Sequence, residues 1–294
     1  MTPDRPTPPD RSTAPPLHRS TAPAPHRSSA PAPDRSTAPA PHRSTLTFAL
    51  AGKGGTGKTT VAALLVRALL RAGRKPVLAI DADPNATLGE ALGLQPDRTV
   101  VGAVEQYFGE RANIPAGMSR DKYLEQRLAE VVCESRGFDL LVMGRPEGAG
   151  CYCAANNVLR ASIDALTKSY ASVVMDNEAG MEHLSRRTTR SADHLILVSD
   201  HSVRGVRTVA RLSALATELE LGIGKRWLVL NRVPATLDPA VEAAARETGL
   251  PLLPVIPDDP AVVQADLAGT SLLELSGSPA ADGVEQLLQR LTAG

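Results

Sequence analysis

Residues 50–60 read Leu50-Ala51-Gly52-Lys53-Gly54-Gly55-Thr56-Gly57-Lys58-Thr59-Thr60. The run satisfies the phosphate-loop pattern G-x-x-x-x-G-K-[ST] through Gly52, Gly57, Lys58 and Thr59. Its glycines let successive backbone N–H groups curl around phosphate oxygens. The N-terminus of the next helix adds partial positive charge at the same point. In this reading Gly52, Gly54, Gly55, Thr56, Gly57, Lys58, Thr59 and Thr60 bind the phosphates. Lys58 neutralises the β- and γ-phosphates, and the Thr59 hydroxyl sits on Mg²⁺. The flanks agree: Leu46, Phe48 and Leu50 alternate as in a strand. Val61, Leu64, Leu65, Ala68 and Leu69 then recur at helical spacing up to Gly73. A chance glycine-rich turn explains neither flank.

Further along, apolar runs alternate with helical periodicity. Strands are expected at Leu46–Ala51, Pro76–Ile80, Phe138–Met143, Ser172–Met175, His194–Val198, Trp227–Leu230 and Leu252–Ile256. Helices are expected at Arg120–Glu134, Asn157–Lys168, Val203–Leu219 and Glu242–Thr248. Most strand runs are continuously apolar, as strands covered on both faces require. The fold class is therefore α/β: a doubly wound, mostly parallel sheet of about seven strands of the P-loop NTPase kind. In such sheets ligands bind beyond the carboxyl ends of the strands.

Three strand ends carry polar residues that suit a nucleotide. Asp81-Ala82-Asp83-Pro84-Asn85 follows the second strand. Asp83, further out on the loop, is the candidate for orienting the attacking water. The competing reading is an Asx-Pro turn with a helix cap at Asn85, which leaves the second carboxylate unexplained. Asp176 ends the run Val173-Val174-Met175 and would hold Mg²⁺ through water. Gly180, four residues on, would sense the γ-phosphate through its N–H. Asn231 ends Leu228-Val229-Leu230, and its amide offers both a donor and an acceptor, as the edge of adenine requires. A guanine reader of the N/T-K-x-D type would place Asp there, so ATP is expected over GTP. Each of these residues also has a plain reading as an ordinary strand terminus.

Cys151 and Cys153 stand one residue apart, just after Gly148 and Gly150. Two thiolates bite a soft divalent ion at about 2.3 Å for zinc, which normally takes four ligands. A second copy across a dimer axis would complete a Cys₄ site for Zn²⁺ or Ni²⁺. A buried small pair or a redox pair stays open, although a C-x-C disulfide is strained. Cys133, in the helical run Leu128–Glu134, reads as a core residue. His194 and His201 flank an apolar strand and read as structural, while Glu182 and His183 are left unassigned.

The run from Lys53 to Thr59 resembles the deviant Walker A loop of a group of ATPases. That group contains the septum-site and partition ATPases and the nitrogenase iron protein. The resemblance implies that Lys53 reaches a partner's nucleotide, making the protein an ATP-driven homodimer. It likens Asp81–Pro84 to switch I and Asp176–Gly180 to switch II. Gly148–Arg160 and Asp176–Leu184 are similar to the carbon monoxide dehydrogenase accessory ATPases, which help insert nickel. The likeness spans roughly 46–290. It implies an ATP hydrolase with Lys53, Lys58, Asp83 and Asp176 as catalytic residues, Thr59 and Asp176 on Mg²⁺, and Cys151 and Cys153 on nickel or zinc. Its implied partners are a second copy and a client metalloenzyme.

The remaining composition narrows the alternatives. Residues 1–44 hold 12 of the 24 prolines, no aromatic residue, and an octapeptide repeat that opens with [DH]-R-S-[TS]-A-P. Such a segment cannot bury enough apolar surface to offset its ordering entropy, and a disordered tail is expected ahead of an ATPase domain over 45–294. No apolar signal core follows its charges. Acidic and basic residues balance at 32 each, and the tail's six Arg against three Asp leave the remainder slightly acidic. Specific nucleic-acid binding is therefore not expected, and neither is a membrane span. A membrane-positioning ATPase would need a basic amphipathic C-terminus, but Gly283–Leu291 carries one Arg and one Glu. An iron–sulfur-bridged electron-transfer ATPase remains a further alternative. Three cysteines without a framework suit a reducing cytoplasm.

Overall fold

The computed structural model describes residues 45–110, 114–145, 162–178 and 191–293, all within the compact unit Arg43–Gly294. The proline-rich tail lies outside the described residues. Strand β1 (Leu46–Gly52) leads through the glycine loop into α1 (Lys58–Arg71), then β2 (Val77–Ala82). A short α2 (Leu88–Ala91), α3 (Val100–Gly109) and α4 (Arg120–Ala129) precede β3 (Cys133–Glu134) and β4 (Phe138–Val142). After a helical stretch at 162–167 come β5 (Ser172–Asn177), β6 (Ser191–Asp200), α5 (Val203–Glu218) and β7 (Gly222–Asn231). The chain closes with α6 (Pro239–Glu247), α7 (Pro260–Ala268) and α8 (Pro279–Thr292).

The seven strands form one sheet in the order β3-β4-β2-β5-β1-β6-β7. All pairings are parallel except β3 with β4. The expected fold class is the observed one. Strand order reverses at β1, between β5 and β6, so the loop after β1 opens at the crevice where such sheets bind ligands.

Side-chain alternation along buried strands explains the two-layer core. Phe48 and Leu50 of β1 join α1 and α8 on one face, and Ala49 and Ala51 face α3 to α5 on the other. Helix α1 is buried almost throughout, from Val61 to Leu69. Each fully buried Leu there contributes about 1.5–3 kcal/mol. Arg67 fastens α1 to the C-terminal helix by donating to Glu285 (2.8 Å) and to the Leu275 carbonyl (2.6 Å). The helix that carries the phosphate loop is thus anchored from behind.

Two expectations are corrected. Leu252–Ile256 is not a regular strand; it meets β7 through one isolated bridge, Leu228 with Leu252, and through the bonds that Leu253 N and Ile256 N donate to the Leu228 and Leu230 carbonyls. Pro251, Pro254 and Pro257 remove the N–H groups a ladder needs. The helix expected over Arg120–Glu134 ends at Ala129. Val131 and Val132, β-branched, lead into the edge strand that contains Cys133. Cys133 is therefore a half-buried residue of β3 rather than a helical core residue, and burial raises its thiol pKa. No helix among the described residues is long and apolar enough to cross a membrane.

Candidate nucleotide site

The phosphate loop is shaped by backbone. A Cβ at Gly52 would overlap the Val198 carbonyl of β6, so only glycine lets β1 end so close to its neighbour. Gly55 and Gly57 hold φ of 79° and 83°, and Gly57 is the left-handed N-cap of α1. The Lys53 carbonyl accepts from Thr56 Oγ1 (2.9 Å) and from Lys58 Nζ (3.4 Å). Lys58 is 7 % exposed and folded over the loop. The Lys53 side chain is exposed.

Behind the loop stands a row of carboxylates. Asp176 pairs in register with both Leu50 of β1 and Asp81 of β2. It is 1 % exposed. Thr59 Oγ1 donates to its Oδ2 (2.6 Å), while Oδ1 is buried without a partner. Burial pushes its pKa up to about 7; the Thr59 bond opposes this, and the charge on Asp81 adds to it. A buried carboxylate with one orphaned oxygen beside a hydroxyl is the donor set a hard cation takes. Thr59 and Asp176 fit Mg²⁺.

The two carboxylates at the end of β2 have different surroundings. Asp81 is fully buried and spends both oxygens on backbone, accepting from Asp83 N (3.1 Å) and Leu88 N (2.9 Å). Burial raises its pKa to about 6 against those bonds. Asp83 is half-buried and turns back on Asn85, accepting from its N and Nδ2, both at 2.9 Å. The Asx turn and the second carboxylate are thus both present. The cap of α2, however, falls at Thr87 instead of Asn85.

Asn231 ends β7 beside the loop and is 3 % exposed. Its Nδ2 donates to the Thr56 carbonyl (2.9 Å), and a Cβ at Gly57 would overlap that same nitrogen. Arg232, at φ 55°, donates to the Gly55 carbonyl. A groove of ≈ 770 Å³ runs from Gly57 and Asn231 past Pro257 and Asp258 to α7. Asp259 fixes its far wall. One oxygen accepts from Ala261 N (2.9 Å), capping α7. The other accepts from Ser278 Oγ (2.5 Å) and Ala280 N (3.1 Å) at the start of α8.

Sequence reasoning missed Arg232 and Asp259. The Asp-Pro step at 259–260 signals one cap, but nothing local reveals the second helix it holds. It missed Asn177 too, whose Nδ2 ties β5 to the Leu50 carbonyl (2.8 Å). His194 is structural as expected: it stacks on Phe48 and accepts from Trp227 Nε1 (3.0 Å). Gly180, Cys151 and Cys153, with Gly148, Gly150, Glu182 and His183, lie outside the described residues. Among the described residues no cluster of three or more His, Cys, Asp or Glu is placed to hold a metal ion.

The sequence profile of the CobQ/CobB/MinD/ParA nucleotide-binding domain matches residues 47–272. The chain belongs to this family. An uncharacterized ATP-binding protein of Methanocaldococcus jannaschii, MJ0685, is 43 % identical over 78 % of this chain and 91 % of its own. The carbon monoxide dehydrogenase accessory protein CooC of Rhodospirillum rubrum is 33 % identical over 79 % and 90 %. The MinD cell division protein of Aquifex aeolicus, at 22 % identity, shares the fold over 85 % of this chain and 98 % of its own, with a TM-score of 0.61. The protein is a ParA/MinD-type nucleotide-binding ATPase.

Proposed function

We propose that this family member is an ATP-dependent metallochaperone. Two copies would bind ATP across their axis and pool Cys151 and Cys153 around one Ni²⁺ or Zn²⁺, delivering it to a client metalloenzyme of the carbon monoxide dehydrogenase kind. The observation that carries the reading is the Cys-x-Cys loop in a chain 33 % identical to CooC, an accessory protein of that enzyme. A reducing cytoplasm would keep the four thiolates available.

In this scheme Lys58 and the loop N–H groups hold the β- and γ-phosphates, and Lys53 crosses to the partner's nucleotide. Thr59 and Asp176 hold Mg²⁺, which supplies charge neutralisation at the phosphates when bound. Asp83 orients the attacking water, and Gly180 senses the γ-phosphate. The Asn231 amide reads the adenine edge and favours ATP over GTP. Binding and loss of the γ-phosphate would then open and close the thiolate pair.

The test is anaerobic purification with metal content and mass measured with and without ATP. One Ni²⁺ or Zn²⁺ per dimer is expected, lost in Cys151→Ala and Cys153→Ala. A metal-free monomer that keeps its ATPase, indifferent to both substitutions, would remove the chaperone reading and leave the ATPase.

A further inference from the structure

The carbonyls of the phosphate loop are held by donors from several places. Thr56 Oγ1 and Lys58 Nζ donate to the Lys53 carbonyl. Val61 N donates to the Gly57 carbonyl (3.0 Å) as the first bond of α1. Between these, the Gly55 and Thr56 carbonyls accept from Arg232 and Asn231, two adjacent residues at the end of β7. In a planar trans peptide the C=O and the N–H point in opposite directions, so whatever fixes a carbonyl also aims the next N–H. Asn231 thus aims Gly57 N. Arg232 aims Thr56 N, which closes the turn by donating to the Lys53 carbonyl (3.4 Å).

Neighbouring residues of a strand point to opposite faces, so two in succession should not reach one loop. The backbone departs from a strand to allow it. Ile256 donates to the Leu230 carbonyl (2.9 Å) and accepts from Val233 N (3.0 Å). A regular parallel ladder would place those two partners two residues apart; here they are three apart, the single extra residue of a bulge. Arg232 takes up the difference with φ 55°. Glycine adopts that region freely. A larger residue stays there only when its surroundings over-determine it, and such positions collect at ligand clamps. Packing does not offset the strain, since Arg232 is exposed and forms no ion pair among the described residues. What the arginine adds over a glycine is its hold on the Gly55 carbonyl.

We propose that Arg232 is a positioning residue for phosphate binding. It acts through Gly55, keeping the loop in its receiving shape so that the cost of ordering those glycines does not fall on the ligand. The strained backbone is the means of aiming the guanidinium at the loop from the far side of the groove. The proposal rests on the phosphate-loop reading of residues 52–60 and is independent of the metal reading.

The test is calorimetric binding of tripolyphosphate and of ATP, each with Mg²⁺, to the full chain. Arg232→Ala and Arg232→Gly are both expected to weaken the two ligands by the same factor, about three- to tenfold. Their thermal midpoints should separate, Gly above Ala, because glycine takes φ 55° without strain. Binding then follows the guanidinium while stability follows the backbone. A glycine variant that recovers both would make Arg232 merely structural and overturn the proposal. Repeating the titrations at about 0.05 M and about 0.5 M salt separates a bond from a distant charge. Bracing predicts the same ratio of wild type to variant at both, and a deficit that vanishes at the higher salt sinks it. A loss for ATP without one for tripolyphosphate also counts against it, since Arg232 would then touch the base or ribose. A wild-type chain that binds neither ligand removes the phosphate-loop reading, and the proposal with it.

Discussion

The two ends of the groove are built on opposite principles. The phosphate end is made by backbone: glycines at positive φ, carbonyls that accept from their own loop, and one helix start. The far end, the base end in the proposed reading, is made by side chains from distant parts of the chain, Asn231 to Thr56 and Asp259 to Ser278. The phosphate end can therefore be specified in eleven consecutive residues, whereas the base end exists only once α7, α8 and β7 have come together. The first should be sensitive in catalysis, the second in affinity.

The sharpest way to break this contrast is Lys58→Ala. In the absence of nucleotide the ammonium makes one long bond, to the Lys53 carbonyl at 3.4 Å, so the fold should hardly notice its loss. Phosphate release at saturating ATP should fall by about 10²–10³, the scale of removing one preorganised charge from a transition state. An effect below tenfold would move the chemistry elsewhere.

Asp176→Asn should reduce hydrolysis by about 10² and blunt its Mg²⁺ dependence. It also has a signature in the nucleotide-free protein. Burial raises Asp176 to about 7 and Asp81 to about 6, above their unfolded value of 3.8. The native state thus keeps protons that the unfolded chain releases. Stability is highest below about pH 4 as far as these two groups are concerned, and falls as pH rises toward about 7. Urea midpoints at pH 5 and pH 8 should show that decline, and Asp176→Asn should flatten it.

This contrast also explains what was legible in the sequence. The loop, α1 and six strand runs could be read because each is local: glycine spacing, or apolar runs between turns. The sequence places Asp83 further out on the loop than Asp81, but only the fold shows Asp81 turned inward to Leu88 N and Asp83 half-exposed. Leu252–Ile256 reads as a strand by apolarity alone, and Pro254 within it and Pro251 and Pro257 beside it keep it from forming one. Arg232 gave no signal, since a positive φ at a non-glycine residue is imposed by its neighbours.

Asp259→Ala tests the base end. The carboxylate accepts three bonds and caps two helices, so its loss should cost about 1–3 kcal/mol in stability. The groove wall at Pro257 and Asp258 loosens with it. ATP affinity should fall severalfold while the saturated rate stays near wild type. A matching fall in the saturated rate would show that the wall reaches the phosphates and that the two ends are not separable.

The smallest expected effect is also the most discriminating. Asn231, like its neighbour Arg232, belongs to both ends, since its Nδ2 holds the Thr56 carbonyl at 2.9 Å and the residue also lines the groove. If the amide reads the base, Asn231→Ala should lower the preference for ATP over GTP by about three- to tenfold, because a lost donor–acceptor edge removes about 1 kcal/mol of discrimination. Tripolyphosphate, which has no base, should bind the variant nearly as well as wild type. If Asn231 only braces the loop, ATP, GTP and tripolyphosphate should all weaken together and the preference should not move. Asn231→Asp sharpens the result: an acceptor-only side chain loses the bond to Thr56 and places a charge at 3 % exposure, so bracing predicts a worse outcome than alanine for all three ligands. A base reader predicts a shift of selectivity toward GTP, whose donors suit a carboxylate.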